Sequence, residues 1–402
     1  MIGRVAIAAL CVCGLTGCLP QPVPATGRLT PAQGLARGHS PSVSHRADGT
    51  VLVDGVPFFP FGFYHVSWAE RGTSQQRQED VRKIGGGGFN LMVTEPINDQ
   101  DAAGYGAFLD TAQRSGVYVM TYGLSPAAAK TVEHYPAVLG FQLADDSNVL
   151  VTPAEIRQRH QAIKAVAPSK LTYISLAVGY DRPERQYFGV SDMVGNQSYP
   201  IGRDDISVTY PVMQSAVQSA LARNTVPLAN LQTFGWRRGQ APNEVELRNM
   251  TYQALMAGVK GIVYYAYRSR EVDLNHEPRL WNTARQLARE VAVLSPALLG
   301  GERVELADGT GTRPLVVRFR GPGGDYLLAL NNSRTDRREV QLQLPDAPRR
   351  LCSLSGPRKT LRLQGDRLTG RLAPLEVVTY RLEETRSTLP VFDFLLRFLS
   401  RC

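Results

Sequence analysis

The chain has 402 residues, of which 43% are hydrophobic and 20% charged, and its formal net charge is +9. This composition can form a large buried core and excludes an intrinsically disordered chain, and the length suits one large domain with a smaller one. The positive charge is mostly arginine spread along the sequence, without a basic run interleaved with aromatic residues, so we expect no nucleic-acid partner.

The first 17 residues predict a signal peptide. A positive charge at Arg4 precedes an apolar stretch, residues 5–12, that is too short to span a bilayer. Leu15-Thr16-Gly17-Cys18 resembles the lipobox of bacterial lipoproteins, in which the cysteine is lipidated and becomes the first mature residue. This resemblance implies export and a membrane contact through a lipid on Cys18, at the outer membrane if the host is Gram-negative. The alternative is an ordinary cleaved signal peptide.

Residues 18–46 are rich in small residues and proline, which predicts a flexible tether. After removal of the signal peptide, the remaining cysteines are Cys18, Cys352 and Cys402. Cys352 and Cys402 could form a disulfide in an oxidising compartment. No group of cysteine and histidine residues has the spacing of a metal site, so we expect neither a metal nor a cofactor.

Between residues 47 and 300 the chain alternates short apolar runs with amphipathic stretches, which is typical of parallel βα units. Eight apolar runs can be counted, at residues 58–63, 89–94, 117–122, 138–145, 171–177, 192–198, 226–232 and 261–266. Eight units in about 250 residues match the size of a closed barrel. We therefore predict an α/β fold whose main body is a (β/α)8 TIM barrel.

Helix starts between these runs carry capping signals. Ser125-Pro126 and Thr152-Pro153 each place a hydroxyl side chain before a proline that suits the first helical turn. Glu155 follows Thr152 by three residues and completes a capping box. These signals predict that helices begin at both places.

After residue 300 the apolar period changes from helical to alternating. Alternating apolar and polar side chains, separated by Gly, Pro and Asp, occur at residues 315–319, 326–331, 340–344 and 377–382. These segments predict a small C-terminal antiparallel β-sandwich over residues 301–384. Residues 385–402 form an apolar tail that either docks on the protein or contacts a membrane surface.

The residues that end each apolar run are candidates for a site, because the active sites of TIM barrels lie at the carboxyl ends of the strands. The fourth run ends in two adjacent acids, Asp145 and Asp146. Neighbouring carboxylates raise each other's pKa, and a carboxyl group that still holds a proton can protonate a glycosidic oxygen. The alternative is that one acid caps the following turn and the other is only solvated.

Several segments together resemble the barrels of glycoside hydrolases. Residues 54–62 are similar to their first strand, 143–146 to the fourth-strand signature in which Asn or Asp precedes a Glu acid, and 192–200 to their sixth strand. Residues 242–265 are similar to their last helix and eighth strand. The resemblance implies hydrolysis of O-glycosidic bonds in a carbohydrate substrate, with Asp146 as general acid and Asp145 as its partner.

Two positions depart from the usual pattern of this family. The acid position holds Asp146 where the family has glutamate, which shortens the side chain by one methylene. The seventh run ends at Gln232, where the family's nucleophile is a glutamate, so a carboxylate nucleophile is excluded there. Double displacement needs two carboxyl groups roughly 5 Å apart, and the sequence shows no second one in its usual place.

Three mechanisms therefore stay open. Inversion would use Asp146 as acid and a more distant base, for which Glu95 at the end of the second run is the best candidate. Substrate-assisted cleavage would use the acetamido group of the sugar as nucleophile. Some enzymes of that kind carry an Asp-Asp pair on the fourth strand, where the first Asp orients the acetamide and the second is the general acid. The third possibility is a barrel that binds glycan or serves envelope assembly without catalysis.

Other residues near the strand ends are candidates for substrate binding. His65 and the amides of Gln197 and Gln232 could hydrogen-bond sugar hydroxyls, and Arg268 could bind an acidic sugar or pair with Glu271. The aromatic side chains that could contact a pyranose ring are Tyr199, Trp236, Tyr265 and Tyr267. Each of these residues also has an ordinary structural interpretation, as a buried polar group with partners or as a packed aromatic ring.

Overall fold

The structure, a computed structural model, describes residue 35 and residues 38–97, 101–177, 184–346, 350–354 and 360–383. The predicted signal peptide, Cys18, the apolar tail and Cys402 lie outside the described residues. Cys352 is disulfide-bonded. Within the described part of the chain, no helix is both long and apolar enough to cross a membrane.

A small antiparallel sheet precedes the barrel. Its strands are β1 Val43–His45, β2 Val51–Val53 and β3 Val56–Phe58. Strand β1 falls inside the stretch that the sequence predicted as a tether, so that prediction extended too far along the chain. The strand forms because Val43 packs in the core and its N–H donates to the carbonyl of Ser169 at 2.8 Å.

Eight parallel strands close into the predicted barrel. They are β4 Phe61–His65, β5 Leu91–Thr94, β6 Tyr118–Tyr122, β7 Val138–Ala144, β8 Leu171–Leu176, β9 Met193–Ser198, β10 Val226–Gln232 and β11 Ile262–Arg268. Each strand overlaps one of the eight apolar runs, so the fold prediction is confirmed. Almost every residue of these strands is buried, which is why they appear in the sequence as continuous apolar runs.

Helices follow the strands and cover the outside of the barrel. They are α1 Ser74–Gly86, α2 Ala102–Arg114, α3 Pro126–Val132, α4 Ser147–Leu150, α5 Pro153–Val166, α6 Thr209–Leu221, α7 Glu244–Ala257 and α8 Pro278–Gly300. Short 3-10 helices occupy Ala69–Arg71, Glu184–Tyr187, Ile206–Val208, Trp236–Arg238 and Leu274–His276. The capping box predicted at Thr152 and Glu155 is present, and Ser125 caps α3 as predicted.

Two antiparallel sheets form the predicted sandwich. The five-stranded sheet contains β12 Glu302–Asp308, β13 Leu315–Gly321, β14 Gly324–Leu330, β19 Val377–Glu383 and β16 Arg350–Ser353, in that order. The three-stranded sheet contains β15 Arg338–Gln343, β18 Arg367–Leu372 and β17 Leu361–Gln364. Four of these strands were not predicted. Most side chains of β12 are exposed or half-buried, and β16 and β17 are only four residues long, so these strands show little alternation.

The sandwich packs directly on the barrel. Apolar residues from one face of the five-stranded sheet, including Leu315, Val317 and Leu328, belong to the same buried cluster as the barrel core. The amide of Asn249 in α7 donates to the carbonyls of Asn331 and Leu375 at 2.9 and 3.0 Å. The sandwich thus packs against α7 and α8, the helices that follow the loops after the seventh and eighth barrel strands.

Candidate active site

A cavity of about 510 Å³ opens at the carboxyl ends of the barrel strands. Its wall is built from the ends of β7, β9, β10 and β11 and the loops that follow them. The sequence-predicted site residues that line it are Asp145, Asp146, Gln197, Tyr199, Trp236 and Tyr265. The structure therefore brings the acid pair, one amide and three aromatic side chains together in one pocket.

Asp145 directly follows β7 and is held by hydroxyl groups. The hydroxyl of Ser175 in β8 donates to its carboxylate, and the hydroxyl of Tyr64 also hydrogen-bonds to it. Burial raises the pKa of Asp145 to about 6, and the adjacent charge of Asp146 adds to this effect. Asp145 therefore retains its proton at a pH at which an ordinary aspartate is ionised.

Asp146 lies at a sharp turn of the backbone. Its φ of 43° and ψ of 44° are left-handed, a conformation that aspartate tolerates better than most residues, and α4 begins at the next residue. The turn is fixed by its N–H, which donates to the hydroxyl oxygen of Ser175 at 3.2 Å. The amide of Gln197 donates to its carboxylate. Because the strand direction is broken here, two consecutive side chains both reach the cavity.

Polar side chains fill the barrel beneath the acid pair. The amide of Gln142 donates to the hydroxyl of Tyr64 at 2.9 Å, and this hydroxyl lies 3.2 Å from that of Tyr173. Tyr173 in turn donates to the side-chain oxygen of Asn230 at 2.9 Å. Gly195 makes room for them, since a Cβ there would lie 2.3 Å from the hydroxyl of Tyr173. The position of Asp145 is thus set by a buried hydrogen-bonded layer.

Glu95 follows β5 and is more deeply enclosed than the sequence suggested. Its carboxylate accepts a hydrogen bond from the N–H of Ser67 at 2.9 Å. Burial raises the pKa of Glu95 to about 7, and the charge of Asp145 contributes to the same shift. A carboxyl group with this pKa is protonated below neutral pH, whereas a general base must be ionised. The environment therefore favours Glu95 as a proton holder over the base that the sequence suggested.

The phenol of Tyr265 lies among the carboxyl groups of the mouth. Burial raises the pKa of Tyr265 most, and the charges of Glu271, Asp145, Asp146 and Glu95 all raise it further. Glu271 lines the cavity and accepts from the hydroxyl of Ser269 at 2.9 Å. The sequence interpretation considered Glu271 only as an arginine partner. Its place three residues after β11 was the signal that could have marked it as a mouth residue.

Comparison with known proteins identifies the architecture. No protein-family model matches the sequence, and no curated protein matches it. A solved glycoside hydrolase is similar over 88% of this chain and 98% of its own, with 13% identity and a TM-score of 0.59. A glycoside hydrolase family 5 protein from Bacteroides vulgatus is similar over 85% of this chain and 93% of its own, with 14% identity and a TM-score of 0.60. An α-amylase from Geobacillus thermoleovorans, complexed with acarbose, is similar over 85% of this chain and 100% of its own, with 12% identity and a TM-score of 0.58. The chain shares the (β/α)8 barrel fold of these three proteins.

Gln232 stands at the end of the seventh barrel strand, β10, but is not among the residues that line the cavity. It is fully buried, its side-chain oxygen accepts from the N–H of Ile201 at 2.9 Å, and its amide donates to the carbonyls of Ile201 and Phe234 at 3.1 and 2.8 Å. These three hydrogen bonds join the loops after β9 and β10. The structure therefore places Gln232 in a structural role and outside the lining of the cavity.

His65 and Tyr267 are also structural residues. Nε2 of His65 lies 3.0 Å from the carboxylate of Asp80, Nδ1 lies 3.3 Å from the hydroxyl of Ser67, and the ring is 1% exposed. Tyr267 stacks on this ring and donates to Asn275 at 3.0 Å. Neither side chain lines the cavity, so the structure does not place them where the predicted sugar contacts would form.

Arg268 belongs to the same buried network. Its guanidinium pairs with Asp80 at 3.0 Å and with Asp273 at 2.9 Å, and not with Glu271 as the sequence suggested. Arg268 is thus held by the buried Asp80 and the half-buried Asp273, and it lines neither cavity of the mouth. Among the described residues, no group of histidine, cysteine and acidic side chains could hold a metal ion.

Proposed function

We propose that the chain hydrolyses O-glycosidic bonds of an oligo- or polysaccharide, and that Asp145 and Asp146 together supply the proton for the leaving oxygen. The observation that carries this proposal is the adjacent acid pair in the mouth cavity, in which burial raises the pKa of Asp145 to about 6. Glycoside cleavage needs a carboxyl group that is still protonated near the working pH. The structural neighbours support the proposal, because they are glycoside hydrolases and an α-amylase.

The two aspartates have different environments and therefore different roles. The sequence placed the proton on Asp146, but burial favours Asp145 as the member that holds it at rest. Ser175 and Tyr64 fix Asp145, while Gln197 orients Asp146 at the cavity. Because the two carboxyl groups are adjacent and both line the cavity, we assign the general-acid function to the pair.

The choice between inversion and substrate assistance depends on the second group. Inversion needs an ionised base across the cavity, and the raised pKa of Glu95 disfavours it below neutral pH. The exposed carboxylate of Glu271, which lines the same cavity, is a better candidate. Substrate assistance would need no further carboxylate, because the acetamido group of the sugar attacks.

Aromatic side chains in the cavity would bind the sugar. Tyr199, Trp236, Phe234 and Tyr265 pack against one another at ring-centroid distances of 5.0–6.2 Å. Trp236 is fixed by its indole N–H, which donates to the carbonyl of Tyr199 at 3.1 Å. Phe234 is buried, while the other three rings are half-buried and offer flat apolar surfaces to the C–H faces of a pyranose.

Lipid anchoring at Cys18 is part of the same proposal and is supported by the sequence Leu15-Thr16-Gly17-Cys18. Anchoring would hold the hydrolase at the cell envelope, next to polymeric glycans. Metabolic labelling with a palmitate analogue should label the wild-type protein and not Cys18→Ala. Equal labelling of both, or of neither, would remove the anchoring proposal and leave the hydrolase proposal intact.

The test of hydrolysis is Asp146→Asn, assayed for new reducing ends on a broad panel of oligosaccharides. We expect the wild-type protein to cleave at least one member and the variant to lose about 10²–10⁴-fold in rate. Asp204→Asn is the matched control, because Asp204 lines the same cavity without belonging to the pair. Unchanged turnover in Asp146→Asn, with both variants folded, would reject the proposed role of the pair.

Binding without catalysis is the second candidate, and Gln232 favours it. The glutamate nucleophile expected at that strand end is replaced by a neutral side chain whose hydrogen bonds are all used internally. A glycan that binds tightly in calorimetry but gives no product on prolonged incubation would support this function over hydrolysis.

A further inference from the structure

At the barrel mouth, two tryptophan rings each contact the guanidinium group of an arginine. Trp68 follows β4, and Cζ of Arg270 lies 4.6 Å from its ring centroid. Trp236 follows β10, and Cζ of Arg203 also lies 4.6 Å from its ring centroid. Trp68 is 42% exposed, which is unusual for so large an apolar side chain. Each pair thus keeps an aromatic ring and a cation together at the surface.

The two pairs lie along one side of the mouth. Strands β10, β11 and β4 are consecutive neighbours in the closed barrel, so the loops that follow them run side by side. The loop after β11 supplies Arg270 and Glu271, and Glu271 lines both the 510 Å³ cavity and a neighbouring open cavity of about 760 Å³. Arg203 and Arg237 line the first cavity and Arg270 the second. The two cavities form a groove longer than the pocket at the acid pair.

Four arginines line this groove, and one of them, Arg279, pairs with Glu244 at 2.6 Å, whereas the other three form no ion pair with any described residue. In the described part of the chain, neither Arg203, Arg237 nor Arg270 forms an ion pair, although all three are exposed. The buried Arg268 below them is instead paired with two aspartates. The groove therefore presents guanidinium groups whose hydrogen-bonding edges are available to a ligand.

A guanidinium group binds a carboxylate or a sulfate through two parallel hydrogen bonds, and an aromatic ring on its face holds it in place. A neutral sugar would need the tryptophans but not the unpaired arginines. Carboxylates also line the groove, so the negative groups of a ligand must bind at the arginines and not along the whole surface. Besides the acid pair they are Asp204, Glu244, Glu271, Asp273 and Glu277. These features together suit a glycan that carries anionic groups on some of its sugars.

We propose that the glycan bound at this mouth is anionic, and that Arg203 and Arg270, each supported by a tryptophan ring, bind its carboxylate or sulfate groups. This inference rests on the proposed function, because it takes the mouth to be a glycan site. Its test needs binding only, and it can therefore fail or succeed independently of hydrolysis.

The test is calorimetric titration of the full chain with oligogalacturonides, sulfated oligosaccharides, and neutral malto- and cello-oligosaccharides of equal length. We expect oligogalacturonides or sulfated oligosaccharides to bind at least about tenfold more tightly than the neutral oligosaccharides, with an affinity that falls as salt is added. Arg203→Ala and Arg270→Ala each weaken that binding by about tenfold to a hundredfold. Arg82→Ala, which removes an exposed arginine of α1 outside the mouth, leaves it unchanged. The carboxylated and sulfated probes decide which anion is recognised.

Three outcomes would overturn the inference: no acidic probe binds, neutral probes bind as tightly as acidic ones, or the two arginine variants behave like Arg82→Ala. Circular dichroism of each variant checks that it remains folded. Binding of an acidic probe without any product would reject the hydrolase but keep this inference. Cleavage of neutral glycans, with no binding of acidic probes, would reject this inference but keep the hydrolase proposal.

Discussion

Replacing Asp145 by asparagine should make the protein more stable near neutral pH, although the same change should remove activity. Burial and the neighbouring charge of Asp146 disfavour the ionised form of Asp145 and raise its pKa from 3.8 to about 6. Asparagine has nearly the same shape and keeps an oxygen that can accept from Ser175 and Tyr64, but it carries no charge. The variant therefore keeps the hydrogen bonds and loses the buried charge.

The sign and size of this effect follow from proton binding. Between pH 3.8 and about 6 the folded wild-type protein holds a proton on Asp145 that the unfolded chain has already released. The free energy of unfolding of the wild type therefore falls as the pH rises through this window and stays lower above it. A shift of roughly two pKa units corresponds to about 3 kcal/mol, at about 1.4 kcal/mol per unit. The stability gain of the variant is thus near zero below about pH 4 and largest above about pH 7.

Urea unfolding followed by tryptophan fluorescence, from about pH 4 to pH 8, measures this difference. Asp110→Asn, which neutralises an exposed aspartate of α2, is the control for the change in net charge. A stability difference that does not grow with pH would refute the reasoning. A variant that is less stable than the wild type at the upper end of the range would also refute it.

Three further predictions concern the cavity and its wall. Hydrolysis should decline as the pH rises above about 6, because the acid pair then loses its proton, and a pH profile of kcat/KM checks this. Gln232→Glu should not create a nucleophile and should cost about 2–4 kcal/mol in urea unfolding, because it places a charge in a fully buried site and removes two donated hydrogen bonds. Trp236→Ala should raise KM by about tenfold and change kcat little, since the ring binds the sugar but does not react, and steady-state kinetics on the identified substrate separate the two parameters.

The barrel was predictable from sequence because burial on both faces makes its strands continuous apolar runs. The run at residues 138–145, for example, corresponds to β7, in which every residue is buried. The small sheet before the barrel was missed, since β1 to β3 have only three residues each and follow a stretch rich in proline and small residues. Such short strands depend on tertiary contacts, such as the hydrogen bond from Val43 to Ser169.

The candidate site was predictable only in part. Position at a strand end correctly brought Asp145, Asp146 and Gln197 to one cavity. The same rule failed for His65 and Gln232, because a side chain at a strand end can point into a neighbouring loop and satisfy its polar groups there. No sequence pattern reports which way such a side chain points.

Differences between acidic residues were also invisible in the sequence. Asp145 and Asp146 are adjacent and chemically identical, yet Ser175 donates to the carboxylate of Asp145, whereas the carboxylate of Asp146 accepts from Gln197 at the cavity. Glu95 seemed a suitable base because it ends a strand, but burial raises its pKa to about 7. Desolvation depends on residues distant in the chain, so only the folded structure distinguishes these carboxyl groups.

A comparison of two leaving groups tests whether the aspartate pair protonates the leaving oxygen. Once the sugar is known, kcat/KM of Asp145→Asn and Asp146→Asn is measured on the natural glycoside and on its dinitrophenyl glycoside, whose leaving group needs no proton. We predict a loss of about 10²–10⁴-fold on the natural glycoside and a much smaller loss on the dinitrophenyl glycoside. Equal losses on both substrates, or no loss on either, would contradict the claim.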